Sequence, residues 1–263
     1  MIFDRKDLLG RTVVQIVIVI MGILWLYPLV RMVLKSFEGG FVNNYSAVFL
    51  DAGVYRYFWN SIVVAAMDIA LTITCVTLAA YAFSRLRFPL QIPLFLILII
   101  GMMIPGAGFI IPWFLTIKKL GLVDNPLSLV GPHVAGGIPF GLMLIRSFFD
   151  GIPKEINEAA TIDGASKHTI FRRIYLPLGM PAIATVTIYT FLGSWNDYLL
   201  PLIFLQDPAS MTVTLLPQKF VVFAGSNYGK ISAALMAISI PIFLVYFFCQ
   251  RFLEKGLTAG SVK

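Results

Sequence analysis

Long apolar stretches alternate with short polar ones along the whole chain. An uncharged run of 18 residues fills 13–30, and a second of 30 residues fills 88–117, broken up by Pro93, Pro105, Gly106, Gly108 and Pro112. Between them, 60–84 carries a single charge, Asp68. Further apolar stretches occupy 125–145, 181–205 and 231–250. About 20 such residues cross the hydrocarbon of a bilayer as a helix. The pattern therefore predicts an all-α integral membrane protein with six transmembrane helices in a single domain 1–263, at about 13–33, 60–84, 93–116, 126–146, 181–205 and 231–251. The third run exceeds one simple span, and its prolines predict a tilted and kinked helix or a part lying at the interface. The fourth contains GPHVAGGIPFG, with four glycines and two prolines in eleven residues. Such backbone is tolerated at membrane depth where it lines a cavity or packs closely on another helix.

Composition agrees with the pattern: 59% of residues are hydrophobic, 13% are charged and the mean hydropathy is +0.87, which excludes an ordinary soluble domain of this size. The net charge of +7 would suggest nucleic acid in a soluble protein. Here its distribution points to membrane orientation, because 13 of the 20 Lys and Arg fall on the side that holds both termini and the connection 147–180. The positive-inside rule places that side in the cytoplasm. Cys75 and Cys249 lie in apolar segments and read as packing residues, not a disulfide. The first apolar stretch is long enough to span and no cleavable signal precedes it. There is no GxxxxGK[ST] phosphate loop, HExxH, CxxC or GxSxG, so no catalytic, cofactor-binding or metal-ligating residues are assigned.

A few polar groups interrupt the spans. Asp68 reads first as structural, facing a neighbouring helix or bonding a hydroxyl such as that of Thr72, with a transport role as the alternative. His133 reads first as a hydrogen-bonded structural histidine and otherwise as a substrate contact. Trp195, Asn196, Asp197 and Tyr198 set aromatic surface beside amide and carboxylate groups, a combination suited to sugars, so they are the candidate lining of a substrate path. An interfacial aromatic belt is the competing reading.

The most polar stretch, 152–177 (IPKEINEAATIDGASKHTIFRRIYLP), holds seven formal charges and cannot lie in hydrocarbon. Pro153 can open a helix and Gly164 can close it, which predicts a helix over 154–163 with Ile156, Ala159, Ala160 and Asp163 on one face. Ser166 can cap a second helix that Leu176 and Pro177 stop. In the tail, 252–263, Gly256 and Gly260 argue for an extended segment.

In order and spacing, Glu158, Ala159, Ala160, Asp163, Gly164, Ala165, Phe171, Ile174, Leu176 and Pro177 resemble the EAA loop of the membrane-spanning subunits of bacterial ABC importers, most of all the carbohydrate group of the maltose type. That resemblance implies a permease subunit moving a carbohydrate by alternating access, with a cytoplasmic coupling helix between the fourth and fifth spans. It implies ATPase coupling through Glu158, Ala159, Ala160, Asp163 and Gly164, and an ATPase contact at Gly256, Thr258 and Gly260. The implied partners are a second related permease, two ATPase subunits that bind ATP and Mg, and an extracytoplasmic solute-binding protein in or at the cytoplasmic membrane. The segment 206–230 would reach towards the binding protein. A non-sugar cargo is the alternative within the family. An ion-coupled carrier is the alternative outside it, with only Asp68 and Asp197 as candidate coupling carboxylates and no convincing repeat of the two halves.

Overall fold

The computed structural model describes residues 8–50, 54–221 and 227–258. Its regular elements there are helical: α1 (Leu8–Phe37), α2 (Phe41–Phe49), α3 (Val54–Arg85), α4 (Gln91–Ile100), α5 (Ile110–Lys119), α6 (Val130–Asp150), α7 (Lys154–Ile162), α8 (Lys167–Ile170), α9 (Leu176–Leu178), α10 (Met180–Asn196), α11 (Leu199–Phe204) and α12 (Tyr228–Thr258). Four stretches among the described residues are long and apolar enough to cross a membrane: Gly10–Phe37, Val54–Arg85, Pro126–Asp150 and Tyr228–Gln250. The count reaches six if each of two bent pairs is one span. These pairs are Gln91–Met103 with Gly106–Lys119, bent by 96°, and Lys167–Leu178 with Met180–Asn196, bent by 73°. Large apolar side chains are exposed along these stretches, from Trp25 on α1 to Phe247 on α12, as lipid-facing helices require.

Two compact units make up the chain. One holds α1, α2 and α12 as far as Ile240. In it the Asn44 side chain donates to the Ser36 and Glu38 carbonyls at 3.0 and 2.7 Å, closing the turn between α1 and α2. The other unit holds 55–216 and α12 from Pro241. Its core joins Val76 and Tyr81 of α3, Leu142, Ile145 and Phe149 of α6, Tyr175, and Val186 of α10.

The third stretch bends at its prolines, as the sequence predicts, whereas several later elements depart from the sequence-based expectations. The third span is two helices, because the chain is extended at Ile104 and Pro105, where a helical hydrogen bond is lost. The glycine-rich fourth span is a continuous helix. It does both things its composition allows: Gly136 and Gly137 line a cavity, while Gly141 leaves room for Val76 and Val186. The fifth span is not one helix over 181–205 but breaks at Asp197. Pro201 has no N–H to give the Asp197 carbonyl, which accepts from the Thr214 hydroxyl at 2.6 Å instead. Pro177 does not stop the second helix of the polar stretch. A widened turn at Phe171–Tyr175 absorbs the register around the proline, and the helix continues to Leu178. The tail is not extended, since α12 runs through Gly256 to Thr258. One interior glycine costs a helix about 1 kcal/mol, too little to end it among Leu253, Glu254, Lys255 and Leu257. Gly260 lies outside the described residues. Cys75 and Cys249 are free thiols, and Cys75 faces outward instead of packing inside.

The 73° bend falls at Gly179, where a Cβ would stand 2.6 Å from Phe149 Cε1 and 2.9 Å from the Tyr175 carbonyl oxygen. Gly179→Ala is expected to destabilise the protein by about 1–3 kcal/mol through overpacking. A heat-denaturation series in detergent checks this against Gly131→Ala, a helical glycine with nothing within 4 Å, for which no loss is expected.

Candidate functional site

Asp68 on α3 is fully buried, and its Oδ2 lies 2.7 Å from His133 Nδ1 on α6. The other ring nitrogen of His133 lies 3.0 Å from Asp197 Oδ2, at the end of α10. One histidine thus bridges two carboxylates from two other helices. A neutral imidazole has only one N–H, so making both bonds takes one further proton, on the ring or on a carboxyl. With both bonds made, the three groups carry one net negative charge. Asp197 Oδ1 accepts from the backbone N–H of Leu199 at 3.1 Å and of Leu200 at 3.4 Å, which starts α11. The break in the fifth span is therefore held to α6, and through His133 to α3.

His133 and Asp197 open onto a cavity of about 370 Å³ that Trp113 of α5 and Tyr189, Thr190, Ser194 and Asn196 of α10 also line. Trp113 is backed by Phe109 at 5.5 Å and Tyr189 by Phe140 at 4.5 Å. The hydroxyls of Thr190 and Ser194 are buried and have no hydrogen-bond partner, and the same holds for Asp68 Oδ1 and Thr72 Oγ1 behind the bridge. Apolar and aromatic walls with a few convergent polar groups are the usual make-up of a small-molecule site.

Of the four residues proposed as path lining, Asn196 and Asp197 line this cavity. Trp195 is buried instead, packed on Phe191 at 5.5 Å and Phe58 at 6.0 Å, and Tyr198 stands outside the lining. The aromatic walls come from Trp113 and Tyr189. Sequence reasoning passed over both; the signal for Tyr189 was its place two turns before Asn196 on the helix face that Gly193 also shares.

The polar stretch forms an elbow. Ala165 N–H reaches the Ala160 carbonyl at 2.9 Å and Gly164 N–H reaches that of Thr161 at 3.0 Å, a Schellman closure with Gly164 at φ +80°. Ser166 caps α8 by accepting from Thr169 N–H at 3.2 Å. Glu158, Ala159 and Asp163 face outward, and Ile162 is 86% exposed, whereas Ala160 packs on the core. The elbow is fastened to α3. Arg85 donates to the Phe149 carbonyl and, at 2.6 Å, to that of Ile152, and its guanidinium lies 5.2 Å from the Tyr175 ring centre. Tyr81 donates to the Lys167 carbonyl at 3.2 Å. Both segments of the elbow are thus tied to the same helix that carries Asp68.

Comparison with known proteins accounts for this architecture. Residues 75–259 match the family described as binding-protein-dependent transport system inner membrane component. The chain is 31% identical to the trehalose/maltose transport system permease protein of Thermococcus litoralis, over 98% of this chain and 99% of that one. It is 32% identical to the maltodextrin transport system permease protein of Bacillus subtilis, over 87% and 83%. A chain in the crystal structure of a bacterial ABC transporter that imports the acidic polysaccharide alginate superposes with a TM-score of 0.83 at 24% identity, covering 95% of this chain and 99% of that one, which shows a shared fold. The membrane-crossing helices and these likenesses together make the chain a member of the binding-protein-dependent transport system inner membrane components, the multi-pass permease subunits of ABC importers.

Proposed function

We propose that this permease carries a carbohydrate, and that its path includes the cavity between α5, α6 and α10. The observation that carries the reading is the lining itself, in which the polar groups of His133, Asn196 and Asp197 share one cavity with the aromatic rings of Trp113 and Tyr189. A polyhydroxylated ring can hydrogen-bond such polar groups while it lays an apolar face on the aromatic walls. The names of the trehalose/maltose and maltodextrin relatives support the same class of cargo.

The chain works with a second related permease, two ATPase subunits that hold ATP and Mg, and an extracytoplasmic binding protein. Its termini and elbow face the cytoplasm, in keeping with the distribution of Lys and Arg. The ATPase contacts are Glu158, Ala159, Asp163 and Gly164 on the outer side of the elbow, with Ala160 seating α7 on the core. Gly256, Thr258 and Gly260 of the tail add to this contact. Closure of the ATPase pair moves the elbow, and Arg85 and Tyr81 pass that motion to α3. The two access states are then two packings of the same helices.

The test is the full complex in proteoliposomes, with ATP inside and a saccharide-loaded binding protein outside. ATP-dependent accumulation of a labelled maltooligosaccharide, together with stimulated hydrolysis, is expected. An intact complex that accumulates no saccharide of a neutral and acidic panel, while moving an amino acid or an inorganic ion, would overturn the carbohydrate reading.

A further inference from the structure

The cavity's charge carries the cargo assignment one step further. Its described lining holds His133 and Asp197 but neither Lys nor Arg, and Asp68 lies directly behind His133. The bridge therefore presents one net negative charge to the cavity. Of its two carboxyl groups only that of Asp197 reaches the cavity, with its side chain 18% exposed, whereas that of Asp68 is closed off completely. Three of the four lone-pair positions that Asp197 could offer a ligand are already taken, one by His133 and two by the start of α11. What remains is an acceptor for hydroxyl groups. Asn196 adds an amide whose Nδ2 is turned back to the Leu192 carbonyl at 2.9 Å. The lining holds no Lys or Arg, and both ring nitrogens of His133 are already engaged by Asp68 and Asp197.

We infer that the Asp68–His133–Asp197 bridge makes this cavity selective for an uncharged saccharide and excludes uronic acids. The inference rests on the carbohydrate reading and narrows it. A uronate in the cavity would set its carboxylate against that of Asp197, a like-charge contact that costs affinity. A neutral ring gives Asp197 a hydroxyl to accept from and lays its apolar face on Trp113 or Tyr189. The alginate importer that shares this fold handles an acidic polysaccharide, so the fold is compatible with either charge and the selection falls to side chains such as these. His133 is the positioning residue. It fixes the Asp197 carboxylate from behind and keeps the bridge at one negative charge.

The experiment measures equilibrium binding to the permease–ATPase complex in detergent without the binding protein, so that the binding protein's own preference does not enter. The probes are maltotriose and the same trisaccharide oxidised to carboxylates at its C6 positions, and the readout is the emission attributable to Trp113, taken as the difference from Trp113→Phe. Maltotriose is expected to bind roughly tenfold more tightly than its oxidised form, equivalent to about 1.4 kcal/mol. In Asp197→Asn, which keeps an oxygen for Leu199 and Leu200, the gap is expected to narrow because the acid binds better. Equal or tighter binding of the acid by the unaltered complex overturns the inference and leaves the carbohydrate reading standing, and this arm needs no variant. An unchanged gap in a folded Asp197→Asn complex also overturns it. If neither saccharide alters Trp113 emission, the assignment of the cavity to carbohydrate falls, and the charge selection falls with it.

Discussion

His133→Ala is expected to destabilise the protein by about 3–5 kcal/mol, the usual cost of removing one partner from a buried ionic group. The variant leaves Asp68 fully buried with one oxygen freshly stripped of its partner and the other, Oδ1, already without one. It also cuts the tie between the break at Asp197 and the two helices α3 and α6. The transition midpoint in a detergent heat-denaturation series should fall by on the order of 10 °C. The signature that separates a charge effect from a simple cavity is recovery. Asp68→Asn combined with His133→Gln removes the stranded charge and keeps hydrogen-bonding groups at both positions, so the double variant should melt well above His133→Ala. The two positions would then be strongly non-additive, as contacting groups are. A His133→Ala midpoint equal to that of the unaltered protein would show that the bridge does not hold the helices together.

The bridge also marks where sequence reading stopped. Helical membrane segments were legible because hydrocarbon demands long uncharged runs, and such runs stand out in 13–30 and 88–117 with no partner information. In the sequence Asp68 reads as a structural carboxylate facing a neighbouring helix, and His133 as a hydrogen-bonded histidine. Each finds such a partner, yet their pairing was not legible, because the two are 65 positions apart and only packing brings them together. The bond from Asp68 to Thr72 does not form; Thr72 Oγ1 has no partner, and its side chain lies against Gly137 instead. Helix ends differ from the expected ones where a single residue's signal was weaker or stronger than its neighbours'. Gly256 was too weak a signal to end α12, and Pro201 a stronger one than its apolar neighbours suggested. Asn196 and Asp197 of the WNDY cluster reach the cavity, but Trp195 does not: neighbouring positions on a helix point about 100° apart, so four consecutive side chains cannot line one wall.

Gly164→Val is expected to uncouple the transporter, whereas Gly164→Asn at the same position should leave coupling nearly intact. Nothing lies within 4 Å of where a Cβ at Gly164 would stand, so a side chain there meets no obstacle inside this chain. What it meets is the backbone, since φ is +80° and the Schellman closure of α7 depends on that angle. A side chain in the left-handed region costs about 1–2 kcal/mol, and a β-branched one more, while asparagine tolerates it. A strain of that size shifts the elbow's geometry against the docked one by roughly tenfold in population. The outward residues Glu158, Ala159 and Ile162 sit on the helix that this closure sets, so the strain is felt at the proposed ATPase contact. The core, built from Tyr81, Phe149 and Tyr175, is left untouched. In proteoliposomes the valine variant should therefore assemble with its partners and hydrolyse ATP, but accumulate saccharide roughly tenfold more slowly per ATP consumed. The asparagine variant should behave like the unaltered protein. Equal loss in both variants would mean that the side chain is meeting the ATPase surface and not the backbone angle. Full coupling in both would remove the elbow from the transmission path and leave the contact with the hydrolytic subunits to be sought elsewhere on the cytoplasmic side.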